Sequence, residues 1–150
     1  MKKLLKAGMP ILFLVASLMG TYTLIQSADY ETTGRITSVT LQDRYPLGTE
    51  VITVRYKSHF SAPLTFGTGF GLERERDGRW ERMEYTPEGG LFNYVLLFIK
   101  PGEDYEIPFY IKFHFAPSEP GRYRFYQRFS PPVNSGEEDE FFVYTEFELY

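Results

Sequence analysis

Apolar and polar side chains alternate along much of this chain, and that alternation constrains its fold more than any other feature of the sequence. The longest run is Tyr105–Phe115, in which one face carries only large apolar side chains: Tyr105, Ile107, Phe109, Ile111, Phe113 and Phe115. Val51–Ser58 alternates in the same way. Successive side chains of a strand point to opposite sides of a sheet, so this period predicts strands with one buried face. No segment shows a convincing 3.6-residue period of apolar residues, which would indicate a helix.

Proline and glycine separate further strand-like segments at short intervals. These predicted strands are Ile36–Leu41, Leu64–Glu73, Leu91–Ile99, Arg122–Phe129 and Phe141–Tyr150. Leu91–Ile99 is mostly apolar, which predicts burial on both of its sides. Aromatic residues, which pack well on pleated faces, make up 18% of the chain. Strands at this spacing predict an all-β fold of one antiparallel sandwich with about seven to nine strands.

Asp77-Gly78 is the strongest local turn signal, because both residue types suit the positive φ angles of a two-residue hairpin. Pairing outward from this turn predicts these partners: Glu75 and Trp80, Arg74 and Glu81, Glu73 and Arg82, Leu72 and Met83, and Phe70 and Tyr85. Two of the pairs join opposite charges and two join apolar side chains. A slip by one residue would lose all four, so the sequence predicts a hairpin in this register.

Proline, glycine and tyrosine mark special positions in three of the predicted strands. Pro108 cannot donate a backbone hydrogen bond, which predicts that its strand is an edge strand or is bulged there. Gly67, Gly69 and Gly71 share one face, which predicts a bulge or a crowded crossing of sheets, with a ligand against the bare backbone as the alternative. Pro120–Tyr123 (PGRY) has the composition of a tyrosine corner, in which the tyrosine hydroxyl bonds to nearby backbone.

The first 28 residues have the pattern of a targeting segment. A basic start, Met1–Lys6, precedes the uncharged stretch Ala7–Ala28, and acids follow at Asp29 and Glu31. This order predicts an N-terminus inside and a folded domain outside the cytoplasmic membrane. A cleaved signal peptide fits the pattern. A retained signal-anchor helix also fits, since a stretch of this length spans a bilayer core of about 30 Å. The predicted organisation is a signal peptide or anchor over 1–28 and a β-sandwich domain over 29–150.

Charge and cysteine content exclude several functions. The chain has 16 Lys and Arg against 20 Asp and Glu, and three of the bases, Lys2, Lys3 and Lys6, precede the apolar stretch. The remaining acidic surface would repel a nucleic-acid backbone, so no nucleic-acid partner is expected. The chain has no cysteine. Disulfides, thiolate metal sites, cysteine nucleophiles and lipid attachment to cysteine are therefore excluded.

Candidate catalytic and metal sites are few. His59 and His114 lie far apart in the sequence, without a serine elbow or metal-ligand spacing, so both are predicted to be surface or loop residues. The acidic run Glu137–Glu140 lacks the ligand pattern of a Ca²⁺ loop and is predicted to be a solvated loop that discourages edge pairing. We expect no catalytic residue, no cofactor and no metal.

Trp80, Tyr110 and Tyr126 make up the candidate protein-binding surface. By the hairpin register, Trp80 lies on the strand face opposite to that of Leu72 and Met83. If that face is exposed, Trp80 with Tyr110 or Tyr126 makes an aromatic patch of the kind found at binding sites. If it is covered, Trp80 packs in the core or at its rim, which is the interpretation that we favour.

The order of several short motifs resembles a known family. The motifs are Leu64–Gly67 (LTFG), Gly69–Glu73 (GFGLE), Asp77–Trp80 (DGRW), Pro101–Glu103 (PGE) and Pro120–Arg124 (PGRYR). Together they resemble a bacterial Ig-like domain family of small exported proteins, over roughly Val39–Phe129. The resemblance implies an immunoglobulin-like antiparallel β-sandwich with an extracytoplasmic role, and it brings no catalytic residues. A weaker likeness connects the chain to bacterial proteinase inhibitors of Ig-like topology, which have a similar Trp after a Gly turn.

The sequence therefore predicts a non-catalytic domain outside the cytoplasmic membrane, either secreted or anchored. It would act in protein binding, adhesion or cell-envelope scaffolding, and its partner would be a protein or another envelope component. The N-terminal segment would contact the membrane if it is not cleaved. The alternative hypothesis is a secreted or membrane-anchored protease inhibitor of Ig-like fold.

Overall fold

The strands of this chain are held together by large apolar side chains, and the computed structural model describes them over residues 36–93, 95–132 and 140–150. The predicted signal peptide or anchor helix over 1–28 lies outside the described residues, as does most of the acidic run, Glu137–Asp139. Among these described residues, no helical segment has the length and hydropathy of a membrane span.

The described residues form nine strands and one short helix. The strands are β1 (Ile36–Thr40), β2 (Arg44–Tyr45), β3 (Ile52–Ser58), β4 (Leu64–Arg76), β5 (Arg79–Arg82), β6 (Leu96–Ile99), β7 (Asp104–Phe109), β8 (Gly121–Ser130) and β9 (Phe141–Leu149). The helix, α1, is a single turn over Ile111–His114. The alternation in the sequence accounts for these strands: along β3, every second residue from Ile52 to Ser58 is buried.

Two sheets pack face to face. The smaller has the strand order β1-β3-β7, and the larger has the order β2-β9-β8-β4-β5, with β6 also pairing with β4. Aromatic side chains fill the space between them. The rings of Phe70 and Phe109 stack with centroids 4.1 Å apart, and Tyr56 meets Phe129 edge to face at 5.2 Å. The predicted all-β antiparallel sandwich is confirmed as a mostly β structure of two packed sheets, and it departs from the prediction in the helical turn α1 and in the short parallel pair of β2 and β9.

The Asp77-Gly78 hairpin is present in the predicted register. Its pairs are Glu73 with Arg82, Arg74 with Glu81, Glu75 with Trp80, and Arg76 with Arg79. Both turn residues have positive φ angles, as predicted. Beyond the end of β5, the backbone N–H of Met83 still donates to the carbonyl of Leu72 at 2.9 Å. The predicted pair of Phe70 and Tyr85 lies outside the ladder, and the side-chain hydroxyl of Tyr85 donates to the carbonyl of Phe70 at 2.6 Å instead. The turn chemistry and the cross-strand pairs therefore set the register together.

The glycine stripe of β4 coincides with a bulge, as predicted. The register of β4 against β8 shifts between Phe66 and Phe70. The side-chain amide of Gln127, on β8, donates to the carbonyl oxygens of Gly67 and Gly69 at 2.7 Å each. This buried amide satisfies backbone groups that the interrupted ladder leaves unpaired.

The predicted strand over 105–115 is wrong in its second half. The strand β7 ends early, and α1 follows, so that Ile111, His114 and Phe115 are buried while Phe113 is exposed. Spacings of three and four residues place side chains on one face of a helical turn. Because residues 111 and 115 also fit a period of two, the alternation concealed this turn.

The predicted strand Leu91–Ile99 is also shorter than expected. The strand β6 covers only its last four residues. The prediction of burial on both sides is wrong, because Leu91, Val95, Leu96 and Phe98 are exposed. In the described part of the chain β6 pairs only with β4, at the margin of the larger sheet. An apolar run does not by itself distinguish a central strand from a marginal one.

Two predictions about single residues are confirmed. Pro108 lies in β7, which is an edge strand of the smaller sheet. Tyr123 forms the predicted tyrosine corner, since its hydroxyl donates to the backbone carbonyl of Glu119 at 2.6 Å. This bond ties the turn before β8 to the strand itself.

Candidate functional site

A concave apolar groove opens along one side of the sandwich, where β7 of the smaller sheet meets the β6 side of the larger one. One wall is Tyr105–Tyr110, and the other carries Phe92, Val95 and Leu97. Phe70 of β4 also lines it. The volume of the cavity is about 640 Å³, within the range of roughly 300–1,000 Å³ that is usual for binding pockets. This feature is called the groove below.

Apolar side chains around the groove are widely exposed. Leu91 is 81% exposed, and Val95, Tyr110 and Phe113 are each about half exposed. A smaller adjoining cavity of about 340 Å³ shares Val95 and adds the exposed Leu96. Single exposed apolar residues are common, but contiguous ones mark sites of interaction. The groove is therefore the strongest candidate for a binding surface in the described part of the chain.

The groove follows the free edge of β7. Each consecutive residue from Tyr105 to Tyr110 contributes to its lining. Successive side chains of a strand point in opposite directions, so a surface that touches every residue in turn runs along the backbone edge. Among the described strands, β7 pairs only with β3. Its other edge is thus accessible from the groove.

His114 ties the loop before β6 to α1. Its Nδ1–H donates to the carbonyl oxygen of Gly89, and its ring stacks on that of Phe92, with centroids 4.6 Å and planes 10° apart. The hydroxyl of Thr86 donates to the carbonyl of Phe113 at 2.6 Å, and the Thr86 N–H donates to the carbonyl of His114 at 2.8 Å. One end of the groove is therefore held by direct bonds between the loop and the helical turn.

The prediction that both histidines lie on the surface holds for one of them. His59 is exposed, whereas the prediction is wrong for His114, which is buried among aromatic rings. The three-residue spacing from Ile111 to His114 was the signal for this burial. The described residues contain no group of three or more His, Asp or Glu side chains that could hold a metal ion.

Charged side chains beside the groove are paired within the chain. The guanidinium of Arg55 donates twice to Glu106, at 2.6 and 2.8 Å. The hydrogen bond and the charge of Glu106 raise the pKa of Arg55. Two further pairs are Lys112 with Glu50 at 3.3 Å and Lys57 with Asp104 at 3.8 Å. The surroundings of the groove therefore present paired rather than free charges to a partner.

Trp80 lies elsewhere, on the outer face of the larger sheet, where arginines cover it. The guanidinium of Arg124 is 4.4 Å from the ring centroid of Trp80 and 4.2 Å from that of Tyr144. Arg122 lies 5.6 Å from the Trp80 ring. The Arg124 Nε donates to Glu73 at 2.6 Å. Trp80 thus takes part in a layer of alternating charged and aromatic side chains.

The other two residues of the candidate surface lie in different places. Tyr126 shares the outer face with Trp80, and the guanidinium of Arg82 lies 5.2 Å from its ring. Tyr110 follows β7 and lines the groove together with Phe113. The structure therefore brings Trp80 and Tyr126 to one face, where the chain's own arginines stack on their rings, and places Tyr110 at the other site.

The sequence pattern does not predict the exposure of three groove residues, Leu91, Val95 and Phe113. They belong to segments whose apolar run or alternation predicts burial, so their exposure follows only from how the strands assemble. The one sequence signal that points to this side of the molecule is Pro108, which marks β7 as an edge strand.

A comparison with protein families identifies what this architecture is similar to. A family model described as a bacterial Ig-like domain matches residues 35–148. The match includes all nine described strands apart from the last residue of β9. No curated protein matches the chain.

Proposed function

The chain belongs to the bacterial Ig-like domain family, and on that premise we propose that it is a non-catalytic domain that binds another protein outside the cytoplasmic membrane. Ig-like sandwiches serve widely as binding and structural modules. Function resides in sites rather than in folds, so the proposal depends on a particular surface of this chain.

The observation that carries the proposal is the exposure of contiguous apolar side chains around the groove. Leu91, Val95 and Phe113 would each lose contact with water if a partner covered them. Burial of apolar area contributes about 25 cal/mol per Å², and it is the main favourable term in most protein associations. The pairing of nearby charges, such as Arg55 with Glu106, suits a partner that meets the groove with apolar groups.

The extracytoplasmic part of the proposal rests on the sequence. The basic Met1–Lys6, the uncharged Ala7–Ala28 and the acidic residues that follow support export of a domain over 29–150. The partner would accordingly be a protein of the cell envelope or a secreted protein.

Photo-crosslinking in cells tests the proposal on the full chain. A photoreactive phenylalanine analogue replaces Leu91 in the groove or, as the matched control, Phe142 on the outer face of β9. We expect discrete protein adducts from position 91, lost when Val95→Asp is also present, and none of the same mass from position 142. Adducts that are absent, or equal from both positions, would contradict the proposal.

An inhibition assay separates the alternative hypothesis from this one. The purified full chain is titrated against secreted serine and metalloproteases. Stoichiometric inhibition that survives Val95→Asp would favour a protease inhibitor acting through another surface and would contradict binding through the groove. Under the proposed function, the proteases keep their full activity.

A further inference from the structure

We infer that the groove binds an extended apolar segment of another polypeptide, which adds to the free edge of β7 as a new strand. The inference rests on the proposed function and specifies its partner. It follows from the free edge of β7 and from the dimensions and the charges of the groove.

The free edge of β7 is the first observation. Among the described strands, the smaller sheet ends at β7, and the groove touches each residue from Tyr105 to Tyr110. An edge strand presents a row of backbone N–H and C=O groups to any segment that can lie beside it. Strand addition at such an edge is a recurring mode of peptide recognition, with backbone hydrogen bonds for affinity and pockets for alternate side chains.

The dimensions of the groove are the second observation. The strand β7 has six residues, and an extended partner of about six residues would span roughly 20 Å at about 3.3 Å per residue. Ile107 of the smaller sheet lies in one wall, and Leu97 of β6 with Phe92 of the preceding loop lies in the other. Alternate side chains of an added strand would point between these walls and bury apolar surface on both of them.

The charges are the third observation, and they define the chemistry of the partner. The ionic side chains along β7, Glu106 and Asp104, are paired with Arg55 and Lys57 on β3. These pairs leave no free opposite charge for a charged partner, which would have to bury its own charge against apolar side chains such as Phe92, and that burial costs free energy. The inward positions of the bound segment are therefore apolar and uncharged.

Pro108 limits this pairing. It has no backbone N–H, so a partner strand gains no donor from it, and the continuous part of the ladder is confined to the residues from Asp104 to Ile107. Proline on an edge also hinders indiscriminate pairing with other strands. The edge thus accepts a short segment that fits the adjoining apolar wall and does not favour open-ended aggregation.

Peptide selection followed by an N-methyl scan tests the inference. A displayed library of random twelve-residue peptides is selected on the full chain, and binding of the enriched peptides is measured by fluorescence anisotropy. We expect peptides with apolar residues at alternate positions, whose affinity falls at least tenfold with Leu91→Asp or Val95→Asp. Phe142→Asp, an exposed aromatic residue on the outer face, is the control and should leave the affinity unchanged.

N-methylation of single peptide amides distinguishes strand addition from apolar contact alone. Amides that bond to β7 alternate with amides that point away, so methylation should weaken binding with a period of two. Groove binding without that period would overturn strand addition while leaving the proposed function intact. If no peptide is enriched, or if the chain forms dimers that Leu91→Asp abolishes, the inference also fails. Absence of both peptide binding and the cellular adducts would contradict the proposed function as well.

Discussion

His114 and Gly89 fit against each other so closely that residue 89 has no room for a side chain. A Cβ built on Gly89 would lie 2.6 Å from both the Cα and the carbonyl oxygen of His114. The imidazole of His114 in turn donates to the carbonyl of Gly89. The contact joins the loop before β6 to α1, and it therefore supports one end of the groove.

Gly89→Ala should destabilise the fold because two of the three atoms nearest to a Cβ there belong to the backbone of His114 and cannot rotate away, while the third is the hydroxyl oxygen of Thr86 at 2.5 Å. We expect a loss of about 1–3 kcal/mol in the free energy of unfolding, the usual cost of overpacking. Urea unfolding followed by the fluorescence of Trp80, the single tryptophan, measures it. Gly67→Ala is the control, since a Cβ there meets nothing within 4 Å, and its effect should stay within about 0.5 kcal/mol. Equal effects of the two substitutions would contradict this account.

Gly71 makes a different kind of close contact, because the ring of Tyr126 lies across it. A Cβ on Gly71 would come within 1.9 Å of the ring. Gly71→Ala should displace that ring and cost about 1 kcal/mol or more. When Tyr126→Ala removes the ring, Gly71→Ala should become neutral or stabilising by up to about 1 kcal/mol, because alanine is less costly than glycine within a strand. A double-mutant cycle by urea unfolding measures the coupling, and strictly additive effects would count against the contact.

Arg124 and Glu73 form a largely buried ion pair, with side chains 12% and 8% exposed and a closest approach of 2.6 Å. In the described part of the chain, Arg124→Met would leave the carboxylate with Arg82 as its ion-pair partner, which approaches only to 3.7 Å. We expect a loss of about 3 kcal/mol, the lower end of the range for breaking a buried pair. Unfolding followed by circular dichroism measures it, since Trp80 fluorescence would itself respond to the loss of Arg124.

Two further variants separate the role of the charge from that of packing. Adding Glu73→Gln to Arg124→Met removes the unpaired charge and should restore part of the lost stability. Arg122→Met breaks pairs of an exposed arginine with Glu75 and Glu146 and should cost much less stability than Arg124→Met, because exposed pairs are screened by solvent. A larger effect at residue 122 than at residue 124 would be inconsistent with a buried pair.

Tyr56 should make the stability depend on pH in the alkaline range. Burial raises its pKa above the ordinary value, so the folded chain keeps a proton that the unfolded chain releases above about pH 10. The stabilisation is complete below that pH and declines as pH rises, because the unfolded state then binds fewer protons. Relative to the wild type, Tyr56→Phe should gain up to about 1.4 kcal/mol per pH unit above pH 10. Urea unfolding between pH 8 and 11 measures this, and a difference that is constant over that range would refute the prediction.

Local signals were sufficient for several parts of the fold. Four features could be predicted from the sequence: the register of the Asp77-Gly78 hairpin, the tyrosine corner at Tyr123, the bulge in the glycine stripe of β4 and the edge position of Pro108. Each depends on the geometry of a few neighbouring residues or on one missing donor, and such constraints act whatever the rest of the chain does.

The candidate site could be predicted only in fragments. Tyr110 was identified as a surface residue, but it was grouped with Trp80 and Tyr126, which lie on another face. A period of two specifies that alternate side chains differ in burial, and it does not specify which sheet a strand joins or which strand lies beside it. Tyr110 meets Phe113 at the groove only because β7 ends where α1 begins.

The amino-acid sequence was sufficient to predict short strands with one buried face, joined by tight turns, because alternation and turn residues act over a few positions. It also determined the family to which the chain belongs. Only the packing of the two sheets shows that, among the described strands, β7 ends the smaller sheet beside an apolar wall, with Leu91 and Val95 exposed. Exposure is a property of the assembled sheets, since an apolar side chain is buried only where another element comes to cover it.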